Sequence, residues 1–147
     1  MIPILRQLLQ RDLTRLHDEI SAYTSEANLW ITGGEITNSG GNLCLHLVGN
    51  LNTFICGELG HSGYIRDRPA EFNTKNIPRE TLLRQVLETR ELVDQTLANL
   101  PTDSLDEVYS VQLRPEKMTT GYFLTHLAMH LSYHLGQVNY HRRMLDE

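Results

Sequence analysis

Four runs of apolar residues recur at three- and four-residue spacing, each set off from the next by a segment rich in Gly, Pro, Asn and Ser. That pattern confines the chain to packed helices, because a half-buried strand would alternate every second residue. Ile4, Leu5, Leu8, Leu9, Leu13, Leu16, Ile20 and Tyr23 mark a first helix of about twenty residues. A second spans about 42–59, with Asn38 or Ser39 available to cap it and Gly60 to stop it. Pro78 at a first-turn position and Glu80 open the third, which Leu82, Leu83, Val86, Leu87, Val93 and Leu97 carry to about 100, where Pro101 ends it. The fourth covers about 119–145, capped by Thr119 or Thr120, with Arg142 and Arg143 at the negative end of its dipole. The expected fold is all-α, one four-helix bundle over residues 1–147. The joins after the first and second helices are long, about seventeen residues each, which leaves a crossover topology open. Trp30 in the first join is expected to plug the end of the bundle, and Val108, Tyr109, Val111 and Leu113 suit a short extended piece.

The formal charge is −5 and no run of Lys and Arg forms a stripe, which argues against nucleic-acid binding. No apolar stretch is long enough to cross a bilayer. Arg6 and Arg11 interrupt any signal-peptide pattern at the start. Cys44 and Cys56 lie 12 residues apart on one expected helix, too far for a mutual disulfide, and read as reduced thiols of a cytoplasmic protein.

The fourth helix carries His126, His130 and His134, one turn apart on one face. Random placement of seven histidines gives about 0.3 such i,i+4 pairs, and this helix alone holds two. A pair at i and i+4 aims two ring nitrogens at one point. Residues i and i+8 stand about 12 Å apart along the axis, so all three do not easily serve one ion. Another ligand must come from elsewhere: His17, His46, His61 or His141. His46 stands out, because Leu43, Leu47 and Phe54 flank it while Asn50 and Thr53 share its face; alone, it would also suit a core histidine bonded to a backbone carbonyl. Cys44 falls about 160° round the helix from His46 and reads as a core residue.

Cys44-Leu-His46-Leu-Val-Gly-Asn50-Leu, combined with His130-x-x-x-His134-x-Gly-Gln137, resembles the DinB/YfiT-like superfamily of metal-dependent proteins, and Tyr64-Ile-Arg66-Asp-Arg68-Pro-Ala-Glu71-Phe72 looks like a stretch of one of its subfamilies. The resemblance covers nearly the whole chain. It implies an up-down-down-up bundle, a homodimer, and a divalent ion on His46, His130 and His134, zinc or nickel ahead of iron or manganese. It also implies thiol-transferase or related hydrolase or isomerase chemistry with a low-molecular-weight thiol such as bacillithiol, mycothiol or glutathione. Position 135 departs from the pattern: it is Leu where many relatives carry Arg.

Three neutral imidazoles with an open position form a catalytic rather than a structural arrangement. His126 reads as lining the cavity or backing a ligand. Gln137, a turn past His134, would bond a ring nitrogen, hold water or satisfy nearby backbone. Asn50 would orient a bound group or make a helix contact, and Gly136 is read as allowing close helix approach. Arg66 and Arg68 would receive the carboxylates of a thiol cosubstrate, or pair with Asp67 or Glu71 on a solvated loop. The rival class is a non-enzymatic metal-binding, dimerisation or ligand-binding module. Glu58-x-x-His61 occurs only once, and His130-Leu-Ser-Tyr-His134 lacks the glutamate of zinc proteases.

Overall fold

The computed structural model describes residues 1–147, and they contain five α-helices and no strand. Helix α1 spans Ile2–Ser21, α2 Gly40–Leu51, α3 Arg68–Asn73, α4 Arg79–Ala98 and α5 Thr120–Leu145. Of the two cap candidates for α2, Ser39 takes the role: its side chain accepts from the Asn42 amide. Thr119 caps α5 by accepting from the Tyr122 amide. Pro78 precedes α4 as its N-cap instead of lying in its first turn.

Beyond Leu51, α2 continues as a wider π-turn through Asn52–Gly57. Here Asn52 and Thr53 side chains bond the carbonyls of Val48 and Gly49, four residues back, and compete with the backbone for those acceptors. The amides of Glu58 and Gly60 then reach carbonyls five residues back. Helix α3 lies within the long join expected after the second helix. Asp67 accepts from the Ala70 amide and Pro69 pre-sets the first turn. Val108 makes one isolated bridge to Thr119, short of a strand.

Side-chain pairs fix the helix directions. Arg6 pairs with Asp94 while Arg90 reaches Thr14, so α1 and α4 run antiparallel. Glu19 holds Arg142 and, just past α1, the Thr24 amide bonds Asp146, so α1 and α5 run parallel. Along α2, Gly40 lies against His141, His46 against His130 and Phe54 against Phe123, which makes α2 antiparallel to α5. Asn52 bonds Thr89 and Gly60 abuts Thr96, so α2 and α4 are parallel.

Between these helices lies one continuous cluster of 28 buried apolar residues. Leu9, Leu13 and Leu16 of α1, Leu47 and Leu51 of α2, Leu82 and Val86 of α4 and Leu124, Leu131 and Val138 of α5 are all fully enclosed. Truncating any of these leucines to Ala would cost about 2–5 kcal/mol. The Trp30 ring is buried against Gly41 at the start of α2, where an added Cβ would meet ring carbons at 2.7–2.8 Å. No helix is long and apolar enough to cross a membrane.

Candidate metal centre

Helices α2 and α5 bring together what 84 residues of sequence separate: the Nε2 atoms of His46 and His130 lie 3.2 Å apart. His134, one turn further along α5, closes the group. Its ring centroid is 5.1 Å from that of His46 and 4.5 Å from that of His130. One nitrogen of each ring lies within 4.8 Å of the others. His46 is buried, and His130 and His134 are half-buried. Tetrahedral ligands with metal–nitrogen bonds of about 2.0–2.1 Å sit roughly 3.3 Å from one another. The His46–His130 pair matches that spacing.

Behind His46 stands Glu71 of α3. His46 Nδ1 donates to Glu71 Oε1 at 3.0 Å, which leaves Nε2 of the neutral ring as a lone pair facing His130. Arg66 holds the same carboxylate with two bonds, Nε to Oε2 at 2.8 Å and a terminal nitrogen to Oε1 at 2.9 Å. Glu71 is itself buried. Gly49, one turn beyond His46, makes room for it: an added Cβ would stand 2.0 Å from Glu71 Oε2. On the α5 side, His134 Nδ1 donates to Gln137 Oε1 at 2.6 Å. The His46 ring is thus held by a bond at the nitrogen remote from His130, the arrangement that fixes tautomer and orientation in metal sites, and the His134 ring is held by Gln137.

Burial lowers the pKa of His130 to about 4, and the neighbouring rings of His134, His46 and His126 push the same way. Burial also lowers that of His46, against the opposing effect of its hydrogen bond to the Glu71 carboxylate. Both rings are therefore uncharged at neutral pH, as a ligand must be. His130 Nδ1 and Asn50 Oδ1 are buried without a hydrogen-bond partner.

The other candidates separate cleanly. His126 lies outside the group, exposed and stacked between Phe123 and His130. Arg66 realises the ion pair with Glu71, though against the buried site and not on a solvated loop. Its guanidinium also lies 5.7 Å from the centre of the Phe54 ring. Arg68 is exposed and covers Phe72, whose ring sits 5.0 Å from that of His46. His141 bonds Tyr23 and the Ile31 carbonyl, His17 meets Asp18 on the surface, and His61 is exposed in a turn. Gly136, expected to admit a neighbouring helix, faces open space within the chain. Cys44 and Cys56 are buried thiols whose pKa burial pushes up to about 12.

Glu71 is the residue that sequence reasoning did not place at the site. A signal existed in His46-x-x-Gly49, which leaves a gap on the histidine's own face, but not where to find the side chain that fills it. A cleft of about 370 Å³ between α5 and the 35–38 segment shares Gln137 with the site.

Fold and site together define an all-helical protein with a three-histidine group able to hold a metal ion. The chain belongs to the family designated DUF1572, proteins of unknown function, whose family model matches residues 4–147. No curated protein matches it in sequence.

Proposed function

We propose that this chain is a metal-dependent protein of the DinB/YfiT type: one four-helix bundle of up-down-down-up order with a divalent ion on His46, His130 and His134. The pairwise directions of α1, α2, α4 and α5 support that order. The observation that carries the site is the approach of two neutral Nε2 atoms from different helices to 3.2 Å, with a buried carboxylate holding one ring from behind. The donor set is all imidazole, which suits zinc or nickel first and also iron or manganese. Three protein ligands leave a position for an exogenous group.

We read the chemistry as transfer or rearrangement involving a low-molecular-weight thiol. A bound ion supplies Lewis acidity, lowering the pKa of a thiol or water beside it. The chain's own residues do the rest. Glu71 and Gln137 each bond one ring nitrogen, of His46 and His134 respectively, and so orient the two rings. Phe72 covers one side of the His46 ring, its centroid 5.0 Å away. Asn50 Oδ1 offers an unused acceptor to a substrate donor. The cleft beside Gln137 has the volume for a small thiol conjugate.

Metal analysis of purified wild type and of His130→Ala tests the assignment, followed by a screen of thiol-dependent reactions with and without chelator. Wild type should retain an equimolar divalent ion and the variant should lose it. Equal metal content in the two proteins would end the proposal.

A further inference from the structure

The cleft that shares Gln137 with the metal centre is walled by Ile36, Leu43 and Met144 and carries one carboxylate, Glu35, with no Lys or Arg among its lining residues. The ring of His141, also in its wall, spends both nitrogens on Tyr23 and the Ile31 carbonyl. Glu35 is exposed and free of any ion pair. A tight turn holds it in place: the Ile36 amide donates to the Gly33 carbonyl at 2.9 Å, and Gly34 supplies the left-handed φ of +56° that the turn needs. The charged groups around the cleft are engaged elsewhere. Arg142 holds Glu19, Asp146 accepts from the Thr24 amide and from Asn28, and Arg143 stacks on Tyr140 at 5.3 Å without lining the cleft. Beyond the metal centre, Arg66 spends two nitrogens on Glu71 and is not free to meet a cosubstrate carboxylate.

We propose that this cleft receives the part of the substrate remote from its sulfur, and that Glu35 selects an ammonium or other cationic group there over a carboxylate. The inference rests on the thiol reading above and adds to it the charge of the substrate. Its first support is continuity. Gln137 bonds His134 at 2.6 Å and also lines the cleft, and Leu43 lies one turn before His46 on α2, so a molecule whose sulfur reaches the centre has this space beside it. The second support is electrostatic. A lone carboxylate over apolar walls attracts a cation and repels an anion across a Debye length, about 8–10 Å at ordinary salt. Tyr140 adds an aromatic ring to the wall, a surface that also favours cations.

Three thiols differing in one side chain test this: acetylated, amidated dipeptides in which cysteine is followed by lysine, glutamine or glutamate. Each is titrated into the Co²⁺-loaded full chain and read by the thiolate-to-cobalt absorption band, with Glu35→Gln, Glu35→Lys and Asp103→Lys beside wild type. Wild type should bind the lysine peptide about three- to fivefold tighter than the glutamine peptide, and the glutamate peptide weaker by a similar factor. Added salt should shrink the preference. Glu35→Gln should erase the order and Glu35→Lys should invert it, with helical circular dichroism unchanged because Glu35 packs on nothing it must hold. Asp103→Lys makes the same change in net charge in the 102–106 turn, beside the start of α5, and should keep the wild-type order. A cobalt band of equal affinity for all three peptides, or an order that survives Glu35→Lys, would overturn this proposal and leave the metal and thiol readings standing. Absence of Co²⁺ uptake, or of a band with any thiol, would instead remove the reading beneath it, and the proposal with it.

Discussion

Glu71→Gln isolates the contribution of the carboxylate behind His46 while keeping its shape. In the wild-type site that carboxylate accepts three bonds, one from His46 at 3.0 Å and two from Arg66 at 2.8 and 2.9 Å. The amide has one acceptor oxygen. It either takes the His46 proton and turns its NH₂ toward the Arg66 guanidinium, or satisfies Arg66 and lets the ring rotate. Either way the ring loses a negatively charged partner, and its inner nitrogen becomes a weaker donor to metal. Loss of such a partner typically costs about 10–100-fold in metal affinity. That is about 1.4–2.8 kcal/mol. The same change strands the Arg66 charge beside an amide. Breaking a fully enclosed ion pair costs about 3–5 kcal/mol, and we expect about 1–3 here because Arg66 keeps a path to water. Titration with Co²⁺, followed by visible absorption and by calorimetry below the melting temperature, separates the two effects. A folded Glu71→Gln protein with wild-type Co²⁺ affinity would refute the claim that Glu71 positions the ring.

Three further outcomes follow from the same geometry. Gly49→Ala places a Cβ 2.0 Å from the Glu71 carboxylate, so it should weaken Co²⁺ binding as Glu71→Gln does and destabilise the protein by about 1–3 kcal/mol, read by urea unfolding. In the metal-free protein, His130 has its pKa lowered to about 4 and His46 is lowered too, so the unfolded chain binds more protons than the folded one in acid. Stability should therefore fall as pH drops from about 6.5 towards 4, by up to about 1.4 kcal/mol per pH unit for each such ring; a melting temperature flat across that window would contradict the burial of these groups. Chelator should lower the wild-type melting temperature and leave that of His46→Ala unmoved, because only a protein that binds the ion gains stability from it.

Much of the helical framework was legible before any coordinates because its signals are local. Thr119 marks the start of α5 and Arg142 and Arg143 its end, and Ser39 and Gly60 bracket α2 and its π-turn. The i,i+4 relation of His130 and His134 is equally local. What escaped notice is set by tertiary packing. Helix α3 is six residues long, below the length at which periodicity means anything. Its Glu71 meets His46 across 25 residues of chain, a contact decided by how the intervening join folds back. Gly136 was read as a packing glycine within the chain, yet it opens onto solvent; a lone glycine on a helix does not say which side its neighbour is on. His141 shared the composition of a ligand but spends both nitrogens on Tyr23 and the Ile31 carbonyl.

The sealed thiols have a practical consequence. With Cys44 and Cys56 enclosed and held in the S–H form by a pKa near 12, neither offers a nucleophile to Ellman's reagent while the helices stay docked. Added glutathione or dithiothreitol should leave the native chain covalently unaltered. Labelling then reads out only those molecules that have opened, so its rate becomes a built-in gauge of how often the helices separate, with no engineered probe required.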